Sequence, residues 1–429
     1  MGRIFIIFLI TLLTSVNALA CNLAIDTYTS VQDGSWDVAA TWGNNGNNTP
    51  GFNDHIVISS GDSVYHNGNE IIGRLRIQSF GTLQSNSTLR VAESYTNNGA
   101  HYGTGALRLV GNNDSIVGAG LLETTSMSRA DGFRVIYPGS SITIRNTTFR
   151  LPNNDTLVNR GTLTMENSSF DGNGSGIIKN DNNAMLLSNS PGVINSGAGE
   201  LEASAFGNTV NYNASSDQNI FIPISTYYNL TLEGGGTTKS LVARTKIDHD
   251  LKVDGPTLSL IDTFSITIGR DLDLVDGVLD AQNGLVEFDG ISAQSIKGHV
   301  TFHDVRLNSS GGVAITQDSM RVMGSLWLDA GSFNTNDRLT ILSNAGGDGS
   351  IGPITGGSIS GDVTMQRYIG SDSTNWRFLG SPTTNAIISD WQDDFITAGY
   401  PGSHYPSFNF KSILGYDETV LGFSYSGAV

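Results

Sequence analysis

The chain has 429 residues, of which 52 are glycine and only 15% are charged. Its formal net charge of -17 opposes phosphate backbones, so nucleic acid is not an expected partner. Abundant Asn, Ser and Thr with scarce Lys favour short strands joined by tight turns over helices.

In chain order, the first predicted element is a targeting segment. Met1-Gly2-Arg3 is short and positive, Ile4 to Leu13 is an apolar run too short to span a bilayer, and Ala18-Leu19-Ala20 is a small-x-small cleavage site. Residues 1–20 therefore read as a signal peptide, and export is expected. The mature chain begins at Cys21, the only cysteine, which excludes an internal disulfide. Its place directly after the cleavage site makes Cys21 a candidate for lipidation, although Ala18 stands where a lipoprotein signal prefers Leu or Val. No later stretch has the length of a membrane helix.

Residues 29–61 have the character of a cap, with Trp36 and Trp42 placed to cover the first coil and Pro50-Gly51 to turn the chain into a strand. Period-two alternation then recurs along the chain, at HIVIS (55–59), RLRIQ (74–78), TLRVA (88–92), ALRLV (106–110), NLTLE (229–233) and DLKVD (250–254). Between the strands stand Gly, Asn and Asp, and no stretch past the targeting segment carries a helical period.

Two octets match position for position, ITIRNTTF (142–149) and LTMENSSF (163–170), 21 residues apart, and Met185–Ser190 is a weaker third copy. That spacing is the length of one solenoid coil. The expected fold is all-β, a right-handed parallel β-helix spanning 21–365, with a small C-terminal β module at 366–429. Ile142, Leu163 and Met185 should form one inward ladder, with Ile144, Met165 and Leu187 beside it. Asn146, Asn167 and Asn189 should stack at a turn, and Phe149 and Phe170 should face inward. A β-sandwich is the competing arrangement. A longer cassette pairs VNYNASSDQNI (210–220) with VEFDGISAQSI (286–296) and YYNLTLEG (227–234) with FHDVRLNS (302–309), so residues 200–345 read as a duplicated block.

Few residues suggest chemistry. Asp271, Asp273 and Asp276 are candidates for a calcium site, the only cofactor considered, or for an acid/base pair, against the plainer reading of a solvated face. No Lys or Arg is expected at a matching strand position to act as a lyase base. His249 and His303 should point outward, and no histidine spacing suits a metal. The letters of GxGxxG occur at 347–352, but no helix is expected to follow. Trp376, Trp391, Tyr400 and Tyr405 are candidates for a glycan-binding platform, or for the core of a small domain.

Three stretches resemble large surface proteins exported by Bacteroidetes-type bacteria: SWDVAATWGNNGNNTPGFNDHIVISSGDSV (35–64), the duplicated cassette, and SGDVTMQRYIGSDSTNWRFLGSPT (360–383). The resemblance implies an adhesin-like protein, secreted or held at the surface of a Gram-negative outer membrane, with no shared catalytic residues. It also implies a C-terminal sorting domain for type IX secretion, which is missing here, as expected of a truncated version or fragment. The expected function is non-enzymatic presentation of a β-solenoid to glycans or surfaces. The alternatives are a β-helical polysaccharide lyase or glycosidase, and a structural spacer.

Overall fold

The computed structural model describes residues 25–43, 48–111, 115–129, 133–151, 155–190, 199–261, 263–370, 380–381, 387–392 and 394–414. Residues 1–20, expected from sequence to be a signal peptide, Cys21 and Trp376 lie outside these residues, as does the side chain of Trp391. The chain divides into two compact units between Tyr368 and Ile369.

The first unit is all-β, with parallel strands stacked as a β-solenoid of about 14 turns. Most of the described turns give a strand to each of three faces. In one turn these are Thr156–Asn159, Thr162–Glu166 and Ser169–Asp171, called here the first, second and third faces. Parallel coils stack because each strand's N–H and C=O groups find partners in the coils above and below, about 4.8 Å away. Alternation sends every second side chain inward. On the second face Ile142, Leu163, Leu186, Val210, Leu230, Leu251, Leu272, Ile296 and Ile315 stand one above another in register, all buried.

This ladder corrects the expectation for the third octet. Met185 lies opposite Thr162 and is 40% exposed, while Leu186 takes the inward place. Asn159 pairs with Asn180 on the first face and Thr162 with Met185 on the second, so the 181–184 turn carries two residues more than its counterpart. Three successive apolar residues (MLL) leave a period-two pattern no phase to choose, and a one-residue slip exchanges the faces. Ser188 consequently faces inward and Leu187 outward. Asn189 falls opposite Glu166, so the stack at the turn holds Asn146 and Asn167 only. The aromatic expectation agrees with the structure: Phe149 and Phe170 are buried and stacked, 6.0 Å apart.

A second asparagine ladder runs inside the molecule. Asn159, Asn180 and Asn208 are fully buried at the corner between the first and second faces. Asn159 Nδ2 donates to Asn180 Oδ1 at 2.8 Å, and Asn180 Nδ2 donates to the Thr209 carbonyl at 3.0 Å. Asn208 Nδ2 donates to the Ala203 and Ala205 carbonyls. Corner carbonyls cut off from water thus have partners, which burial demands.

The cassette copies share local geometry but not a face. Gln218 Oε1 accepts the Ala214 N–H, while its Nε2 donates to the Ser188 and Ser190 carbonyls at 2.9 and 2.8 Å. Gln294 repeats this with the Gly290 N–H and the Ile268 and Arg270 carbonyls, at 2.9 and 2.7 Å. Yet Val210 is on the second face, and Val286 is on the first, stacked on Ile266. The 76-residue offset (210 to 286) is three coils plus two faces, from Leu272 past the third-face strand Val278–Asp280 to the first face. What recurs is a strand–corner–strand unit.

At the N-terminal end Trp36 and Trp42 are buried and packed edge to face at 5.4 Å, with Trp42 Nε1 donating to the Trp36 carbonyl. Nearby, His101 is buried against the Tyr95 hydroxyl at 3.2 Å. Burial, aided by the neighbouring His66, lowers the His101 pKa from 6.5 to about 3. From Ile369 onward, the described residues hold a 3₁₀ turn, Ile388–Trp391, and one isolated bridge between Ala398 and Tyr405.

Two outcomes are expected. Asn180→Ala should cost about 3 kcal/mol in urea unfolding, because it orphans buried carbonyls, whereas Asn167→Gly at the exposed turn should stay within about 0.5 kcal/mol. Between pH 6.5 and about 3 the unfolded chain binds a proton that native His101 refuses. Stability should therefore fall as pH drops through that window, and His101→Gln should flatten the slope in thermal melts recorded across it.

Candidate functional site

The matched octets meet at the corner between the second and third faces. Asn146 and Asn167 occupy the left-handed region there, with φ of 49° and 44°, which asparagine tolerates better than most residues. Asn167 Nδ2 donates to Asn146 Oδ1 at 2.6 Å, and Asn146 Nδ2 donates to Glu123 Oε1 at 2.7 Å. The turn sends the next residue inward. Thr147, Ser168 and Ser190 are buried; the Thr147 N–H donates to Ser168 Oγ at 3.2 Å and the Ser168 N–H to Ser190 Oγ at 2.8 Å. One residue further, Thr148 and Ser169 stand in register and half-exposed on the third face. Together these side chains line an open groove of about 250 Å³. Its walls are amides and hydroxyls, a lining suited to a neutral polyol. The repetition of the octets thus has a physical reason: each copy supplies one layer of the corner.

Past the groove, the third face carries a column of longer side chains. Arg90, Arg108, Ser128, Arg150 and Asp171 occupy equivalent outward positions in successive coils. Arg150 and Asp171 form an ion pair at 3.5 Å.

The aspartate candidates do not converge. Asp271 Oδ1 accepts the Ser295 N–H at 2.8 Å, as Asp250 Oδ1 accepts the Asp271 N–H at 3.2 Å, so both tie one coil to the next. Asp273 stands between Lys252 and Lys297 in the strand register. Asp276 sits at an exposed turn with φ 55°. Among the described residues, no group of three or more His, Cys, Asp or Glu could hold a metal ion.

The expectation that no basic residue matches these strands is corrected, since Lys252 faces Asp273 and Arg306 faces Glu287. Lys252 is a poor general base, because its 2.7 Å bond to Asp254 holds the ammonium pKa above its ordinary value. His249 and His303 are half-buried; His249 stacks on Tyr228 at 5.0 Å, and Tyr228 packs against Phe206. This outer aromatic stack links three coils through residues whose common column shows only after the coils are aligned.

A grouping that sequence reading missed is Ser85, His66 and Glu70. Ser85 Oγ lies 2.9 Å from His66 Nδ1, and His66 Nε2 meets Glu70 Oε2. It has the order of a nucleophilic relay, but Ser85 is 1% and His66 0% exposed, so no substrate reaches the hydroxyl. Its work is to satisfy a buried corner. The GxGxxG letters fall on a two-residue antiparallel bridge and the following strand, Ser350–Ile354, without a helix to bind phosphate. Of the tail aromatics, Tyr400 is 9% exposed and Tyr405 59%. One is core and the other surface, so these two do not share a platform.

Comparison with protein-family models, with curated proteins and with solved structures found no match to this chain, and the functional reading rests on its own geometry.

Proposed function

We propose that this is an exported, non-enzymatic surface protein of adhesin type, whose solenoid binds saccharides in the corner groove built by the octets. The observation that carries the reading is the groove's lining: Asn146, Asn167, Thr148 and Ser169 offer neutral donors and acceptors in repeating layers. A cavity of about 250 Å³ suits one or two sugar rings of a longer chain, since pockets for drug-sized ligands start at roughly 300 Å³. Export is supported by the apolar segment after Arg3 and the Ala18-Leu19-Ala20 site. No helix among the described residues is long and apolar enough to cross a membrane.

The lyase or glycosidase alternative has less support. A lyase needs an accessible base poised near neutral pH. Lys252 is shifted the wrong way. Lys239, which burial lowers to about 8, is enclosed and donates to the Ala214 and Ser216 carbonyls and to Gln218 Oε1.

The test is a glycan array probed with purified 21–429, with calcium and with chelator. Binding to a defined sugar class should survive chelation. Ser169→Trp, which fills the groove, should weaken it at least about tenfold, or roughly 1.4 kcal/mol. Unchanged binding by that variant would remove the groove from the proposal, and strictly calcium-dependent binding would return attention to the aspartates.

A further inference from the structure

Resting on the saccharide reading, we infer that the ligand is an acidic polysaccharide bearing carboxylate or sulfate groups, and that Arg90 and Arg108 bind its charge.

Arg90 and Arg108 are register partners on adjacent parallel strands of the third face, so their side chains leave the same side about 4.8 Å apart. Arg108 is exposed and Arg90 half-buried, and among the described residues neither guanidinium has a hydrogen-bond or ion-pair partner. Like charges set directly opposite one another destabilise a sheet. Other stacked charges among the described residues have a counter-ion: Arg74 meets Glu93, Arg145 meets Glu166, Arg160 meets Asp181 and Arg306 meets Asp329, and the opposed carboxylates Glu233 and Asp254 have Lys252 beside them. A chain of net charge -17 does not lack carboxylates to neutralise a stacked arginine pair. An anion bound between the two guanidiniums would relieve the repulsion.

The position fits an extended chain that continues from the groove. Thr148 precedes Arg150 by two residues on one strand, and Arg108 and Arg90 follow in the Arg150 column two and three coils nearer the N-terminus, about 10 and 14 Å along the axis. Beside the groove itself that column is closed by the Arg150–Asp171 ion pair, so a polymer seated in the groove and running along the axis would reach its first unpaired guanidiniums at Arg108 and Arg90. Arginine's planar fork binds carboxylate and sulfate oxygens in pairs, which sets it apart from a point charge. The molecule's overall negative field does not forbid this contact, because at physiological salt it is screened beyond about 8 Å.

The experiment measures binding of the whole purified chain to polygalacturonate, to its methyl ester and to dextran sulfate, across a salt series. The free acid or the sulfated polymer should bind at least about tenfold more tightly than the neutral ester, with affinity falling as salt rises. Preference for one of the two anions would identify the charged group. The double variant Arg90→Gln/Arg108→Gln should lose that preference and its salt dependence, with a melting temperature no lower than the parent's because a repulsion has been removed. Equal binding of acid and ester would overturn the charge inference while leaving the saccharide groove standing. Retained preference in the double variant would overturn the assignment to these arginines. Binding of a single-stranded oligonucleotide as tight as that of the acidic polymers would overturn the polysaccharide class, and no binding of any polymer would overturn both readings.

Discussion

The structure depends on one constraint: every polar backbone group exposed by a coil must be satisfied by the coil stacked on it. Parallel strands meet this along the faces, but each turn has three corners where the ladder breaks. There the side chains take over. Asp250 and Asp271 accept the N–H of the following coil, and Asp304 does the same for Ser325 and Asp217 for Thr238. Inside, Asn180, Gln218, Gln294 and Lys239 supply donors to carbonyls that water does not reach. The composition rich in Asn, Asp, Ser and Thr is in good part the composition of these corners. Each such bond contributes on the order of 1 kcal/mol net, and leaving one unmade in the interior costs more than making it gains.

That constraint also explains what kind of repetition the chain carries. The cassettes at 210 and 286 reproduce the same glutamine-to-backbone bonds at the corner while sitting on different faces. In the first copy two buried tyrosines share a hydroxyl–hydroxyl bond of 2.9 Å between Tyr212 and Tyr227. In the second the same places hold Phe288 and Phe302, edge to face at 6.2 Å. Apolar filling and polar filling are both acceptable if the corner itself is closed.

The corner occupied by the octets differs from the others in facing outward with layered amides and hydroxyls, beside the arginine column. A solenoid turns short sequence similarity into a surface array, because equivalent residues of neighbouring coils come to lie a strand spacing apart. Binding by such an array would require no catalytic constellation, only repetition.

By itself the sequence determined the strand content, the coil length, the solenoid class and the stacked phenylalanines, because each follows from period-two alternation or from a repeat of fixed length, and it determined the two tryptophans buried near the start because the first coil needs a cover. It could not set the phase of MLL at 185–187, since three apolar residues satisfy either face, nor separate the buried Asn159–Asn180–Asn208 ladder from the exposed Asn146–Asn167 pair. Asparagine is the same letter in both places, and only the corner geometry decides which way it points. The site was legible as a repeat and not as a groove. That Thr148 neighbours Ser169, that Arg90 lies over Arg108 and that Asp273 lies between two lysines are facts of coil registration. Turn lengths vary from coil to coil, so residues 18 to 24 apart in the chain become neighbours only when the coils are stacked.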